Sequence, residues 1–304
     1  MRPFEYVRPT TVGEATDFLR EHGDDALVVA GGTAAVVMMT LGVLRPEYVV
    51  DVGFIPELGP ELGPELRGSR AGGAGLRLGA LTTVRSIERD PAIAGAYGLL
   101  ADAASQVANV RVRNRATVGG SVCYGEPQTD LPPALIAMGA SATIAASGGG
   151  ASGSTRTVPL ADFFEGPYET VLQAGELLTE ITVPLPEPGT FGCHAKFTVG
   201  SPENKPVANA SVLVRTDEAG RCVEARIVMG AVGPVPVVAE AAAALLAGEV
   251  PDAKLIAEVA ARAADATDPQ DDLRGPVWYK RRIAAVLVER ALSCALRKAG
   301  NGTR

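Results

Sequence analysis

In Val29-Ala30-Gly31-Gly32-Thr33-Ala34-Ala35, a short apolar run ends in a glycine pair followed by a hydroxyl residue. The same pattern returns in Thr117-Val118-Gly119-Gly120-Ser121. Glycine lets a backbone approach an anion closely, and bare N–H groups with a hydroxyl beside them suit a pyrophosphate. For a single glycine pair, a tight turn is the favoured interpretation. Two such pairs in one chain shift the interpretation moderately toward anion binding.

The standard nucleotide-binding loops are absent from this sequence. Residues 31–35 lack both the spacer between the first two glycines and the third glycine of the Rossmann fingerprint. Residues 73–78 fail at the last position of that fingerprint and run into a predicted strand. No glycine is followed by Lys and then Ser or Thr, so a P-loop is excluded. A phosphate would have to be bound by another fold.

The composition indicates a globular chain. Its 304 residues are enough for two domains, and 47% of them are hydrophobic against 21% charged. A net charge of −7 argues against nucleic acid or an anionic membrane surface as a partner. No apolar run approaches the roughly 20 residues of a membrane span, and the first residues lack the apolar core of a signal peptide. We therefore expect a cytoplasmic protein with reduced thiols.

The candidate metal ligands are scattered. They are Cys123, Cys193, Cys222, Cys294, His22 and His194. Zinc and iron–sulfur sites draw on clustered ligands, so we expect no metal site in this chain. Neither of the two histidines lies in a catalytic motif, so the sequence predicts no Ser-His-Asp triad.

Hydrophobic periodicity predicts an α+β chain. The expected helices are 12–22, 34–41, 83–88, 94–107, 131–138, 238–246, 255–264 and 278–296. The expected strands are 26–30, 48–52, 76–80, 142–146, 180–184, 208–214 and 223–230. Residues 58–75 are predicted to form a loop or an irregular hairpin, and the glycine-rich tract 147–153 is predicted to form an exposed hairpin loop. Three prolines between 184 and 188 mark a linker. Arg111, Arg113 and Arg115 are predicted to share one face of a strand, which is exposed to solvent or faces an acidic partner.

Further motifs extend over nearly the whole chain. They are Phe4-Glu5-Tyr6-x-Arg8-Pro9-Thr10-Thr11, Ala30-Gly31-Gly32-Thr33, Arg113 to Ser121, Pro127-x-x-Asp130, Leu135-x-x-Met138-Gly139-Ala140, Gly233-Pro234-x-Pro236 and Asp272-Leu273-Arg274-Gly275-Pro276-x-x-Tyr279-Lys280-Arg281. Together they resemble the FAD-binding medium subunit of molybdenum hydroxylases. That family includes the medium subunits of carbon monoxide dehydrogenase and the flavin domain of xanthine dehydrogenase.

The resemblance implies a fold in two domains. Residues 1–176 would form a two-part FAD-binding domain of the PCMH, or vanillyl-alcohol-oxidase-like, type, with subdomains of about 1–56 and 57–176. Residues 177–304 would form the small α+β C-terminal domain of the CO dehydrogenase flavoprotein, an antiparallel sheet with helices.

The resemblance also implies roles for individual residues. Backbone amides of Val29 to Ala35 and of Thr117 to Ser121 would bind the FAD pyrophosphate. Asp130 would hold ribityl or adenosine hydroxyls, Leu178 would lie beside the isoalloxazine, and Lys196 would reach the polar edge of that ring. Without the resemblance, Asp130 fits a helix cap equally well, Leu178 is a core residue and Lys196 is a solvated lysine.

The function implied is that of a redox relay without a catalytic side chain or a metal. Electrons would come from the [2Fe–2S] clusters of a small partner subunit, with a molybdenum cofactor in a large subunit, and would leave to an external acceptor. The sequence leaves the substrate open. It also leaves open whether the acceptor is NAD, quinone or oxygen, because residues 198–206, which lie near the flavin in the family, depart from the family pattern.

Two alternatives to the relay remain. In an autonomous FAD-dependent dehydrogenase or oxidase, Lys196, Tyr124 and Glu126 would lie beside the flavin. A catalytically silent binding module is the other alternative.

Overall fold

The computed structural model describes residues 1–59, 75–147 and 154–302, except for the side chains of residues 301 and 302. Most of the two predicted loops, 58–75 and 147–153, therefore lies outside the described residues. Three successive parts of the chain each carry a sheet. Among the described helices, none is both long and apolar enough to cross a membrane.

The N-terminal part alternates strands and helices. Its elements are β1 (Glu5–Val7), α1 (Val12–His22), β2 (Ala26–Val29), α2 (Ala35–Thr40) and β3 (Tyr48–Asp51). The strands pair in parallel in the order β1-β3-β2. Thr11 begins α1 by accepting the amide of Glu14, and Gly23 ends it with a left-handed φ of 50°.

The middle part is an antiparallel sheet covered by short helices. Its elements are β4 (Leu76–Gly79), α3 (Val84–Arg89), α4 (Pro91–Ala96), α5 (Gly98–Ser105), α6 (Val110–Arg113), α7 (Val118–Cys123), α8 (Leu131–Ala137), β5 (Ser141–Ala146), β6 (Ser154–Pro159), β7 (Phe164–Gly166), β8 (Glu169–Thr170) and β9 (Glu176–Val183). The sheet has the order β4-β9-β5-β6, and β7 and β8 form a separate ribbon.

The C-terminal part is an antiparallel sheet backed by helices. Its elements are β10 (Thr190–Phe197), β11 (Ala208–Thr216), β12 (Cys222–Gly230), β13 (Val237–Val238), α9 (Glu240–Ala243), α10 (Ala253–Asp265) and α11 (Val277–Gly302). The strands follow one another in the order β10-β11-β12-β13. One face of this sheet packs on α11, against which α10 packs in turn, while Leu213 and Val228 join the core of the middle part. The overall class is α+β, as predicted.

The arginine run does not form the strand that its alternation predicts. Asn109 accepts the amides of Arg111 and Val112 and begins the short helix α6. The guanidinium of Arg113 is held by Glu88, with Nε 2.8 Å from Oε2. The prediction of one exposed strand face bearing three arginines is therefore wrong, because a local cap overrides the two-residue period.

The second glycine pair also differs from the prediction. Thr117 accepts the amide of Gly120 and begins α7, so both glycines lie in the first turn of a helix rather than in a turn. A Cβ on Gly119 would lie 2.7 Å from the carbonyl oxygen of Ala80. Gly119 therefore permits close packing of α7 against the residue that follows β4.

The expected boundary between residues 176 and 177 falls inside β9. This strand pairs with β4 on one side and β5 on the other, and its hydrogen bonds hold it in the middle sheet. The proline-rich residues 184–189 separate β9 from β10.

Two of the four cysteines are joined. Cys193 on β10 and Cys294 on α11 form a disulfide, with their Cα atoms 6.1 Å apart, while Cys123 and Cys222 are free. The prediction of reduced thiols is wrong for this pair. The packing of α11 on β10 brings together residues that are 101 positions apart, which scattered cysteines in a sequence cannot show.

Candidate functional site

A cleft of about 840 Å³ lies where the three parts meet. This volume is at the upper end of the roughly 300–1,000 Å³ that small-molecule and cofactor sites occupy. Every residue of the predicted site except Val118 lines the cleft. The structure therefore brings together segments from β2, α7, α8, β9 and β10.

The first glycine pair turns the chain from β2 into α2. Gly32 has a φ of 71°, which favours glycine, and a Cβ on Gly31 would lie 1.9 Å from the carbonyl oxygen of Arg115. Gly31 thus lets the N-terminal part contact the chain just before the second glycine pair. In the described part of the chain, five consecutive amides donate to no acceptor: those of Gly31, Gly32, Thr33, Ala34 and Ala35.

The second glycine segment offers few free amides. Val118 donates to the carbonyl of Thr82, at 2.9 Å, and Gly119 donates to that of Ala80, at 3.0 Å. Gly120 and Ser121 donate to the side chain and the carbonyl of Thr117. Four of the five amides expected to bind a pyrophosphate are therefore occupied within the protein, and this segment forms a wall of the cleft.

Asp130 and Lys196 form a buried ion pair at the cleft. Their side chains are both 5% exposed, and Nζ of Lys196 lies 2.8 Å from Oδ2 of Asp130. Nζ also donates to the carbonyl of Gln106 at 2.8 Å. Asn209 donates to Oδ1 of Asp130 at 3.0 Å, so both carboxylate oxygens are engaged. Lys196 is thus not a solvated lysine, and Asp130 makes no capping hydrogen bond to α8.

Charged and polar neighbours set the ionisation of Asp130. Burial alone would raise the pKa of this carboxyl group, but the proximity of His194 and Lys196 outweighs it and lowers the pKa. Nε2 of His194 lies 3.5 Å from Oδ1, which is too long for a well-formed hydrogen bond yet close enough for electrostatic attraction. Asp130 is therefore an anion held by two hydrogen-bond donors, Lys196 and Asn209, with the imidazole of His194 beside them.

A second polar cluster lies at one edge of the cleft. The carboxylate of Glu126, which is buried, accepts the hydroxyl of Tyr168 at 2.7 Å and pairs with Lys205. Burial would raise the pKa of Glu126, but these two hydrogen bonds lower it. Tyr168 has a left-handed φ of 64°, and its ring meets that of Tyr124 edge to face. Lys205 ties residues 198–206 to the middle part of the chain.

Comparison with known proteins agrees with this geometry. The family model described as "FAD binding domain in molybdopterin dehydrogenase" matches residues 2–186, and the model "CO dehydrogenase flavoprotein C-terminal domain" matches residues 203–295. The chain belongs to the family of FAD-binding medium subunits of molybdenum hydroxylases. Its relatives include the carbon monoxide dehydrogenase medium chains of Hydrogenophaga pseudoflava and Afipia carboxidovorans. The first is 34% identical over 96% of each chain, and the second is 30% identical over 98% of each.

Solved structures of the family share the fold. Carbon monoxide dehydrogenase from Hydrogenophaga pseudoflava, in a form that lacks the Mo-pyranopterin moiety, superposes with a TM-score of 0.87 at 35% identity. The match covers 97% of this chain and 98% of that one. This FAD-binding medium subunit therefore has the two-part FAD-binding domain and the C-terminal flavoprotein domain of its family.

The residues of this medium subunit fit the cofactor. Five free amides in a row suit a pyrophosphate, the cleft walls are mainly apolar, and one ammonium group is buried at the wall. Leu178, which is 2% exposed, belongs to the core and also lines the cleft. In the described residues, no group of three or more His, Cys, Asp or Glu side chains could hold a metal ion.

Several residues around the site were not predicted from the sequence: Gln106, Tyr168, His194, Lys205 and Asn209. His194 lies two residues before Lys196, a spacing that puts both on one face of a strand, but hydrophobic periodicity did not predict this strand. No sequence pattern placed Tyr168 or Lys205 near the site, because both lie on loops that are distant in sequence from Glu126 and contact it only in the folded chain.

Proposed function

We propose that this medium subunit binds FAD in the cleft and relays electrons from the [2Fe–2S] clusters of a small partner subunit to an external acceptor. The observation that carries this proposal is the row of free amides from Gly31 to Ala35, which faces the same cleft as the buried ammonium of Lys196. Bound FAD supplies the chemistry of accepting and releasing electrons.

The chain's own residues would bind and orient the cofactor. The amides of Gly31 to Ala35 would donate to the pyrophosphate, and the segment Thr117 to Ser121 would shape the adjoining wall. Leu178 would pack beside the isoalloxazine. Lys196 has three N–H donors, of which Asp130 and Gln106 take two, and the third would reach the polar edge of the ring.

The role of Asp130 changes from the one implied by the resemblance. Because Lys196 and Asn209 already engage both of its oxygens, Asp130 has little capacity left for ribityl or adenosine hydroxyls. We assign it the task of holding the ammonium of Lys196 at the cleft wall. A fixed positive charge there favours negative charge on a bound ligand.

The relatives support the proposed partners. They are named as medium chains of carbon monoxide dehydrogenase and match this chain over nearly its full length. We propose a large subunit with the molybdenum cofactor, a small iron–sulfur subunit and a cytoplasmic complex. No side chain in the cleft needs to act as a nucleophile, because electron transfer requires none.

Affinity purification of the tagged chain from its native host tests the proposal. We expect two further polypeptides, a small and a large one, together with iron, molybdenum and FAD in fixed ratios. Isolation of a yellow chain alone, free of iron and molybdenum and able to oxidise a small molecule, would contradict the relay and favour the autonomous flavin enzyme.

A further inference from the structure

The two strands beneath the cleft present a row of polar side chains on one face. In the register of β10 and β11, His194 pairs with Ser211 and Lys196 pairs with Asn209. Asn209 and Ser211 are fully buried, and the side chain of His194 has no exposed surface. Polar groups at such positions are costly to bury unless they form a connected network.

These side chains converge on a single carboxylate. Nδ2 of Asn209 lies 3.0 Å from Oδ1 of Asp130 and 2.8 Å from the carbonyl oxygen of Thr129. Nδ1 of His194 lies 2.8 Å from the hydroxyl of Ser211, which orients the imidazole so that Nε2 faces Asp130. The amide of Asn209 is therefore hydrogen-bonded to Asp130, Nε2 of His194 lies beside the same carboxylate, and Asp130 in turn holds Lys196.

The neighbouring strand keeps room for this arrangement. Gly230 on β12 stands opposite Asn209 on β11, and a Cβ at Gly230 would lie 2.5 Å from Oδ1 of Asn209. Any larger residue at position 230 would displace the amide from Asp130. Gly230 is the last residue of β12, and the lack of a side chain there permits a close approach to Asn209.

From this geometry we propose that Asn209 and His194 are positioning residues that set the charge presented by Lys196 to the cleft. Asn209 supplies the second oxygen of Asp130 with a donor, which leaves Lys196 shared between one carboxylate oxygen and the carbonyl of Gln106. Its third N–H then stays directed at the cleft. The proposal rests on FAD binding in that cleft.

Loss of the Asn209 amide changes how the N–H donors of Lys196 are shared between Asp130, Gln106 and the cleft. A buried carboxylate with an unsatisfied oxygen recruits the nearest donor, because a buried acceptor without a partner is destabilising. That donor is the remaining N–H of Lys196, so the ammonium turns away from the cleft. A ligand in the cleft that carries negative charge in its reduced form then loses stabilisation relative to its oxidised form.

The test is the midpoint potential of FAD bound to the full chain, measured by reductive titration against redox dyes. For Asn209→Leu, we expect FAD to be retained and its preference for the reduced form to fall about tenfold, which is about 30 mV for a two-electron couple. His194→Leu should also lower the midpoint potential. His194→Gln keeps a hydrogen-bond donor, so its potential should be close to that of the unaltered chain. If Asn209→Leu does not fold, the difference in potential between His194→Leu and His194→Gln tests the proposal instead.

A control and a double variant separate positioning from general loosening. Val212→Ala lies on β11 with its side chain on the opposite face, is fully buried, and should destabilise the fold without moving the potential. In a Lys196→Met background, Asn209→Leu should cause no further shift, because both act through one ammonium.

Three outcomes would overturn the inference: an unchanged potential in the folded Asn209→Leu chain, an equal shift in Val212→Ala, or additive shifts in the double variant. A failure of the proposed function looks different, since the unaltered chain would then bind no FAD at all.

Discussion

Gly31 has no room for a side chain. A methyl group there would lie 1.9 Å from the carbonyl oxygen of Arg115 and would push the free amides away from the cleft. We expect Gly31→Ala to weaken FAD binding about tenfold or more, because overpacking costs about 1–3 kcal/mol and 1.4 kcal/mol corresponds to a factor of ten. Equilibrium titration with FAD, followed by the quenching of flavin fluorescence, measures this.

A second glycine supplies the matched control. Gly95 lies in α4, and a Cβ there would meet nothing within 4 Å. Gly95→Ala should leave FAD affinity unchanged and raise the free energy of unfolding by up to about 1 kcal/mol. Equal FAD affinities for the Gly31 and Gly95 variants would contradict the assignment of the first glycine segment.

Glu126 contributes stability that depends on pH. Lys205 and Tyr168 lower its pKa from the ordinary 4.5, so the unfolded chain binds this proton more readily than the folded chain does. Glu126→Gln should lower the free energy of unfolding by about 1–3 kcal/mol at neutral pH. The difference from the unaltered chain should begin to shrink as the pH falls through 4.5 and vanish below the folded pKa.

Urea denaturation of both proteins across that pH range measures the effect of Glu126. A difference in unfolding free energy that stays constant down to acidic pH would show that the carboxylate is not held as an anion. Tyr168→Phe, which removes only the hydroxyl donor, should reproduce part of the effect.

At the scale of elements, the disulfide links β10 to α11. We expect a thiol titration of the denatured chain to count two free thiols without reductant and four after reduction, since only Cys123 and Cys222 are unpaired. Removing the bond in the Cys193→Ser/Cys294→Ser double variant should lower the free energy of unfolding by about 2–4 kcal/mol. Four thiols in the unreduced chain would contradict the pairing.

Some elements follow from local sequence and others do not. Both ends of α1 could be predicted because Thr11 and Gly23 are themselves the caps. The helix at Val118–Cys123 could not, because its glycine pair has low helix propensity and is held by Thr117 and by contact with Ala80. Likewise the alternating Val-Arg pattern suggested a strand until the cap at Asn109 decided otherwise.

The site, too, depends on contacts between distant residues that local sequence does not show. The resemblance names Asp130 and Lys196 separately, but their ion pair joins residues 66 positions apart and depends on how α8 packs against β11 and β12 of the sheet that contains β10. Hydrophobic periodicity did not predict β10, and only the observed strand puts His194 on the same face as Lys196. Nothing in the sequence indicated that Asn209 on the next strand would complete the network.

At the scale of the whole molecule, three parts of the chain contribute different chemistry to one cleft. The N-terminal part supplies free amides, the middle part supplies walls and the carboxylate of Asp130, and the C-terminal part supplies the ammonium of Lys196. Because the site is complete only when all three are folded together, FAD binding should stabilise the whole chain against unfolding.

The visible absorption spectrum of the purified full chain, with FAD quantified after denaturation, is the most direct test of FAD binding in the cleft. We expect a yellow protein that carries, or takes up on incubation, one FAD per chain, and a Gly31→Ala variant that binds FAD more weakly. A folded, colourless chain that takes up no FAD would show that the cleft is not a flavin site.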